Sequence, residues 1–377
     1  MPSDNRIIVA SAGSGKTTFI VDDARRATDR RSALITYTRN NTSELRAKTY
    51  EKLGFIPENI TISTWYSFLL RHFLRPYQNC LYAQRISRIC FVEGRSPVGP
   101  KSSDIKRYYF GKPGHIYSDK ASAFACRVIA ETNGLPLSRF EQIFDRLYID
   151  ECQDLGAYDL ELVESLMKSS VQVTLVGDHR QATFRTNNAA KNSGYARAKI
   201  IEKLKEWAKQ GLATLEFQNH SYRCTQPICD FADQFFPDSP RTTSMNGRAT
   251  DHDGIFAVPK SRVDAYIRRY RPQPLRYSRA TEGAPAEAVN FGAAKGTEFE
   301  RVLIYPHKML ERFLETGRIQ DAGAEIGKIY VAVTRARQSA AFVVPDAENP
   351  TLFPFIEAWS NEQSQGTLAA HAEPEGG

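Results

Sequence analysis

Short runs of aliphatic and β-branched residues alternate with longer amphipathic stretches along the first part of the chain. RIIVAS (6–11) predicts a strand running into a glycine-rich turn, with a helix following from Lys16 to about Asp29. SALITYT (32–38) predicts the next strand. NNTSELRAKTYEKLG (40–54) predicts a helix with a polar start and Gly54 at its end. NITIST (59–64) reads as a third strand and WYSFLLRHFL as the helix after it. RLYIDEC (146–152) and VQVTLVGD (171–178) have the continuous apolar character of strands buried on both faces. Strands separated by helices imply a parallel sheet with helices on both sides.

The rhythm breaks between about Pro76 and Phe140, where RSPVGPKSSDIKRYYFGKPGHIYSDK is rich in Gly, Pro, Lys and Tyr. This stretch predicts an insertion with a small fold of its own. A second alternating series starts near Tyr195. It runs through a helix (195–210), the strand LATLEF, a helix (225–236), the strand GIFAV and a helix (261–270). Strands near LRYSR, AVNF and RVLIYP follow, then a helix ending in VAVTRAR and the strand SAAFVV. The expected organisation is a first α/β domain over 1–190, with its insertion at about 76–140, and a second over 191–360. A polar, small-residue tail over 361–377 is expected to be disordered.

Composition narrows the class only a little. Of 377 residues, 41% are hydrophobic, and the formal net charge is +7. A basic balance fits a nucleic-acid partner held in a salt-sensitive way, a weak signal by itself. No apolar run approaches the roughly 18 residues of a membrane span, and the amino terminus lacks a signal peptide's pattern, so a cytoplasmic protein without a membrane partner is expected. The six cysteines form no CxxC pair and no zinc-spaced cluster, which argues for reduced, partly buried thiols.

The chemistry starts at ASAGSGKT (10–17), between a strand and a helix. Glycines there let backbone N–H groups of Ala12, Gly13, Ser14 and Gly15 wrap phosphate oxygens. Lys16 is placed to neutralise the outer phosphates, and the Thr17 hydroxyl to hold Mg2+. Farther on, DECQD (150–154) closes a strand. Two adjacent carboxylates can divide labour: Asp150 holds Mg2+ through water and Glu151 takes a proton from the attacking water. GDHRQATF (177–184) ends the next strand, from which Gln181 can reach a γ-phosphate. Arg223 and Arg335, both in the second domain, are candidates to stabilise charge on the transferred phosphoryl group. Each alone has an ordinary reading as a surface arginine on a helix.

Taken in order, ASAGSGKT, ITYTRNNTSELRAK, TISTWYSF, DECQD, GDHRQATF, SYRCTQPI, AAKGTEFERV and YVAVTRAR resemble the motif series of UvrD/Rep-type superfamily 1 DNA helicases. The resemblance spans both α/β regions and implies two RecA-like domains with ATP and Mg2+ as cofactors. It implies first-domain ATP residues at Lys16, Thr17, Thr18, Asp150, Glu151 and Gln181, and γ-phosphate arginines at Arg223 and Arg335. It places Tyr222 on the adenine and Glu298 near the sugar. Tyr37, Thr38, Trp65 and Tyr66 fall on the single-strand track, where aromatics stack on bases of any sequence. For Trp65 and Tyr66, plain core packing is an equal alternative.

The chain departs from that pattern in four places. Only six residues precede Ile7, so the family's adenine-recognition glutamine segment has no counterpart, and Thr18 stands where many members carry an arginine beside the base. After Gln181 the run is QATFRTNNA, with Thr186 in place of a base-stacking tryptophan and Asn187 in place of an arginine. Between Arg223 and Lys295 there is no room for the family's large helical accessory subdomain. The first-domain insertion is small. The resemblance implies an ATP-driven motor on single-stranded DNA, or on partly single-stranded duplex, moving 3′→5′. A second reading is a DNA-sensing regulatory ATPase that acts with a partner nuclease, as compact UvrD-like proteins do in bacterial anti-phage systems. A third, a small-molecule kinase, leaves the second-domain arginines unexplained.

Overall fold

In the computed structural model, which describes residues 4–92, 94–183, 191–346 and 356–359, the chain divides into two compact units, 1–220 and 221–377. Thr186, Asn187 and the tail from 361 lie outside the described residues.

The first unit is built on six parallel strands: β1 (Arg6–Ala10), β2 (Ser32–Thr36), β3 (Ile60–Thr64), β4 (Arg146–Ile149), β5 (Gln172–Gly177) and β6 (Thr214–Gln218). Their spatial order is β3-β2-β4-β5-β1-β6. Alternate residues of these strands feed two separate cores. Ile7, Val9, Ile35, Ile149 and Leu175 face one side, and Ile8, Ala10, Leu34, Tyr148 and Val176 the other. Both faces are covered, which is why the strands read as continuous apolar runs. Helices α1 (Lys16–Arg26) and α2 (Arg39–Leu53) cover the second face through Ile20, Val21, Ala24 and Leu45. Gly54 caps α2 in the left-handed region at φ 76°, as the sequence predicts.

Three expectations shift. The segment 65–74 is α-helical only over Trp65–Leu69; Leu70–Leu74 form a π turn, closed by Arg75 N–H donating to Leu70 O at 3.1 Å. The wider turn brings three consecutive residues, His72, Phe73 and Leu74, into the core. The independent part of the insertion is also narrower than 76–140. Its three-stranded sheet involves only Arg88–Cys90, Phe110–Lys112 and His115–Tyr117. Helices Ala121–Glu131 and Leu135–Ile143 belong to the main core, with Phe124, Val128 and Phe140 fully buried in it. Finally, the helix Ile200–Lys209 and strand β6 complete the first unit. β6 lies in parallel register with β1 from Arg6↔Thr214 to Ala10↔Gln218, and Ser11 N–H donates to Gln218 O at 3.0 Å. The border between the units therefore falls after His220, later than 190; periodicity identifies a strand without saying which sheet receives it.

The second unit has its own six-stranded parallel sheet, in the order Val289–Asn290, Gln273–Arg276, Phe299–Tyr305, Ala336–Val344, Gly254–Pro259, Glu357–Ala358. Helices Gln226–Asp233, Val263–Tyr270, Lys308–Thr316 and Ile326–Val333 connect the strands. Between Arg223 and Lys295 the chain builds core strands and helices and one short strand outside the main sheet, Thr243–Ser244, but no helical accessory subdomain. No helix among the described residues is long and apolar enough to cross a membrane. All six cysteines are free thiols.

His252 carries a pH prediction for the second unit. Its ring is stacked between Phe256 (3.9 Å, 17°) and Tyr270 (3.8 Å, 11°), and its Nε2 lies 2.8 Å from the Tyr266 hydroxyl. Burial, with Arg301 adding repulsion, pushes its pKa down to about 4. The folded value lies below the unfolded value of about 6.5, so the folded state binds fewer protons in between. The stabilisation is complete above about 6.5 and is lost as pH falls toward 4, by up to about 1.4 kcal/mol per pH unit. Urea unfolding followed from pH 7 to pH 5 should show a flatter pH slope for His252→Phe than for wild type. Equal slopes would mean the ring charges without cost.

Candidate nucleotide site and strand track

The parallel sheet brings the C-terminal ends of β1, β4 and β5 to one edge: Val9 is in register with Gly177, and Ile149 with Leu175. A loop leaving β1 at that edge meets whatever follows β4 and β5, the usual ligand position in a parallel α/β sheet. Ser11 to Gly15 form the loop. Gly13 (φ 75°) and Gly15 (φ 83°) hold left-handed conformations that a side chain would strain, and Gly15 caps α1 at its first residue, Lys16. Lys16 Nζ folds back onto the carbonyls of Ser11 (3.2 Å) and Ala10 (3.4 Å). Ala12 is buried in the loop, and Ser14 Oγ is buried without a hydrogen-bond partner, a polar atom that a phosphate oxygen would satisfy.

Asp150 and Glu151 follow β4. Thr17 Oγ1 donates to Asp150 Oδ2 at 3.4 Å, so a hydroxyl and a carboxylate converge beside the loop. Burial and the adjacent Glu151 charge raise the Asp150 pKa to about 7, with Lys16 opposing. Lys16 does not fully balance this buried carboxylate, which stands beside a hydroxyl. That donor chemistry fits a hard cation such as Mg2+, which Thr17 and Asp150 would hold. Glu151 is itself in the left-handed region (φ 58°); its N–H donates to Asp150 Oδ1 at 2.9 Å and its Oε2 accepts from Gln153 Nε2. The unusual backbone angle turns the two carboxylates apart, one towards the loop hydroxyl and one towards Gln153.

In the third part the sequence points to Gln181 but not to Asp178 and Arg180. Asp178, fully buried after β5, accepts from Arg180 Nε (3.0 Å) and from Gln181 Nε2 (2.9 Å). Arg180 Nη2 donates to Ser11 Oγ at 2.7 Å, tying this segment to the base of the phosphate loop. Burial alone would push the Asp178 carboxyl up, but Arg180 and Lys16 more than offset it and hold the group well below the usual carboxylate range. Gln153 Oε1 accepts from Asp178 N–H at 3.0 Å. A Cβ at Gly177 would meet Gln153 Oε1, and Cys152 Sγ at 2.7 Å, so glycine is required where the two loops cross. The GDHRQ spelling was readable, but the pairing of Arg180 with Asp178 and Ser11 needs the fold. Lys48 is a similar case: from α2 its Nζ donates to Thr18 Oγ1 at 3.4 Å, placing a cation beside the position where the expected arginine is missing.

In the second unit, Arg223 and Arg335 are not the surface helix residues of their ordinary reading. Arg335 is 2% exposed and lies between the helix Ile326–Val333 and the strand Ala336–Val344. Its Nε donates to Val331 O (3.1 Å) and its Nη1 to Thr297 O (3.2 Å). Arg223 donates to Thr334 O (3.2 Å) and to Glu298 Oε1 (2.6 Å). Glu298 also accepts from Arg337 at 2.6 Å, and its pKa is lowered because the two arginines outweigh burial. Arg337, the second arginine of TRAR, was not singled out from sequence. Tyr222 is 58% exposed.

Of the strand-track candidates, Trp65 and Tyr37 resolve in favour of core packing. Trp65 is completely buried between Tyr37 (5.8 Å) and Phe68 (5.6 Å), with Nε1 donating to Asp159 Oδ1 at 3.2 Å; no face is left for a base. Tyr37 is 8% exposed in the same cluster. Thr38 is exposed and caps α2, its Oγ1 accepting from Asn41 N–H at 3.1 Å. Tyr66 is half-buried and meets the exposed ring of Phe91 edge-on at 5.3 Å. The strand–helix junction thus keeps one partly accessible aromatic out of the three.

A phosphate loop on β1, a carboxylate pair on β4 and a polar network on β5, in a chain with two parallel-sheet α/β units, define a P-loop NTPase of RecA-like fold. Residues 1–187 match the family model described as an AAA domain. It is 24% identical over 266 residues to DNA helicase IV of Escherichia coli (strain K12), an alignment covering 60% of this chain and 37% of that protein. The chain therefore aligns with little more than a third of that relative. Among solved structures, the PRRSV helicase aligns over 93% of this chain and 54% of its own (TM-score 0.45, 15% identity). Arterivirus nonstructural protein 10 (helicase) aligns over 91% and 60% (TM-score 0.45, 13% identity).

Proposed function

We propose that the protein hydrolyses ATP and couples hydrolysis to movement along single-stranded DNA in the 3′→5′ direction. The observation that carries the reading is the convergence of Lys16, Thr17, Asp150, Glu151 and Gln181 at one sheet edge, through the contacts between Thr17 and Asp150 and between Arg180 and Ser11. In this reading Lys16 leaves its loop carbonyls for the outer phosphates, and Ser14 donates to a phosphate oxygen. Glu151 takes the proton of the attacking water, and Gln181 orients that water. Bound Mg2+ would neutralise charge developing on the phosphate oxygens. Arg223 and Arg335 supply the cations that the transition state needs, and Tyr222 stacks on the base.

The test is steady-state ATPase activity with and without single-stranded DNA, on wild type, Lys16→Ala and Arg335→Ala. Turnover stimulated by DNA and reduced at least about 100-fold in both variants is the expected result. ATP turnover indifferent to DNA would sink the coupling to a strand.

The lack of a helical accessory subdomain between Arg223 and Lys295 favours a second reading, a DNA-sensing regulatory ATPase acting with a partner nuclease. It predicts DNA-stimulated turnover without displacement of streptavidin from a biotinylated strand end. The motor reading predicts displacement.

A further inference from the structure

Glu298 holds two arginines at once. Oε1 accepts from Arg223 Nη2 and Oε2 from Arg337 Nη2, both at 2.6 Å. The three sit on separate segments held in fixed relation. Asn246 Nδ2 donates to the carbonyls of Arg223 (2.7 Å) and Arg337 (3.1 Å), and Thr225 N–H donates to Arg337 O at 3.1 Å. The side chains differ in exposure: 12% for Arg223, 37% for Glu298 and 45% for Arg337. Arg223 Nε is buried and has no hydrogen-bond partner, so this guanidinium is incompletely satisfied where it rests.

We propose that Arg337 is a positioning residue that makes Arg223 transferable. The inference rests on the reading of Arg223 as a γ-phosphate arginine. To reach a phosphate, Arg223 must give up its contact with Glu298. A half-buried carboxylate left without a cation would oppose that step. Arg337 stays behind on the other oxygen and keeps Glu298 neutralised while Arg223 is away. Without Arg337, the whole carboxylate charge holds Arg223 in its resting place. Arg337 thus acts through Glu298 and need not touch the nucleotide.

The consequence is a specific non-additivity. Arg337→Gln should lower kcat for ATP about tenfold, and Arg337→Lys, which keeps the charge, should recover most of it. Adding Glu298→Gln to Arg337→Gln should raise kcat again, to within about threefold of Glu298→Gln alone, because a neutral side chain no longer holds Arg223. Thermal melts of all four proteins report folding, and a loss of kcat paralleled by a loss of melting temperature in Arg337→Gln would overturn the proposal in favour of a structural role. Losses that multiply in the double variant would also overturn it, since they mean that Arg337 reaches the nucleotide directly. Wild type that binds ATP without turning it over would overturn the parent reading instead, so the two failures are distinguishable.

Discussion

Glu151→Gln should lower ATP turnover about 1,000-fold while leaving nucleotide binding within about threefold of wild type, because it removes a proton acceptor and little else. The side chain accepts a hydrogen bond from Gln153 through Oε2, and the isosteric amide can still accept there through its carbonyl oxygen. The backbone angle of φ 58° is unaffected by the exchange. Asp150 loses its neighbouring charge, so its raised pKa should fall, which favours cation binding in the variant. Single-turnover hydrolysis with enzyme in excess separates the chemical step from product release. A variant within tenfold of wild type in that assay would remove Glu151 from the proton-transfer role and shift attention to Gln153.

Arg180→Ala should cost about 3–5 kcal/mol of stability, the penalty for leaving a buried charge without its partner. Arg180 is 3% exposed and Asp178 fully buried, so solvent does little to screen the pair. Asp178 would keep Lys16, His179 and the Gln181 amide as stabilising neighbours but lose its strongest one, and Ser11 Oγ would lose its 2.7 Å donor. The effect should reach ATP affinity as well, since Lys16 would be drawn towards Asp178 and away from the phosphates. Asp178→Asn combined with Arg180→Met should recover a large part of the lost stability, because the charge that needed a partner is gone. Chemical denaturation of the two variants and wild type tests this. An Arg180→Ala midpoint within about 1 kcal/mol of wild type would mean that water or rearrangement satisfies Asp178.

The phosphate loop was legible because its requirements are local: glycines with positive φ, then a lysine and a hydroxyl at the start of a helix. The carboxylate pair was legible for the same reason, standing at the end of an apolar run. The contacts of Arg180 with Ser11 and of Lys48 with Thr18 were not, since those partners lie far along the chain and become neighbours only when α2 packs on α1 and β5 pairs with β1. Trp65 and Tyr37 show the opposite problem. Their motif suggested bases, but the core formed with Phe68, Phe124 and Phe140 takes their rings, and no pattern in the sequence decides between those partners. The strand at 214–218 was read correctly as a strand and given to the wrong unit, since joining a sheet is a long-range event.

That strand has a mechanical meaning. Its last residue, Gln218, receives the hydrogen bond of Ser11 N–H, and just beyond it the chain leaves the first unit. The connector is thus anchored on the root of the phosphate loop. A backbone hydrogen bond joins the start of the phosphate loop to the end of the first unit's last strand. In the proposed motor, the stiffness of this joint would set how much of each stroke is transmitted and how much is dissipated in slack.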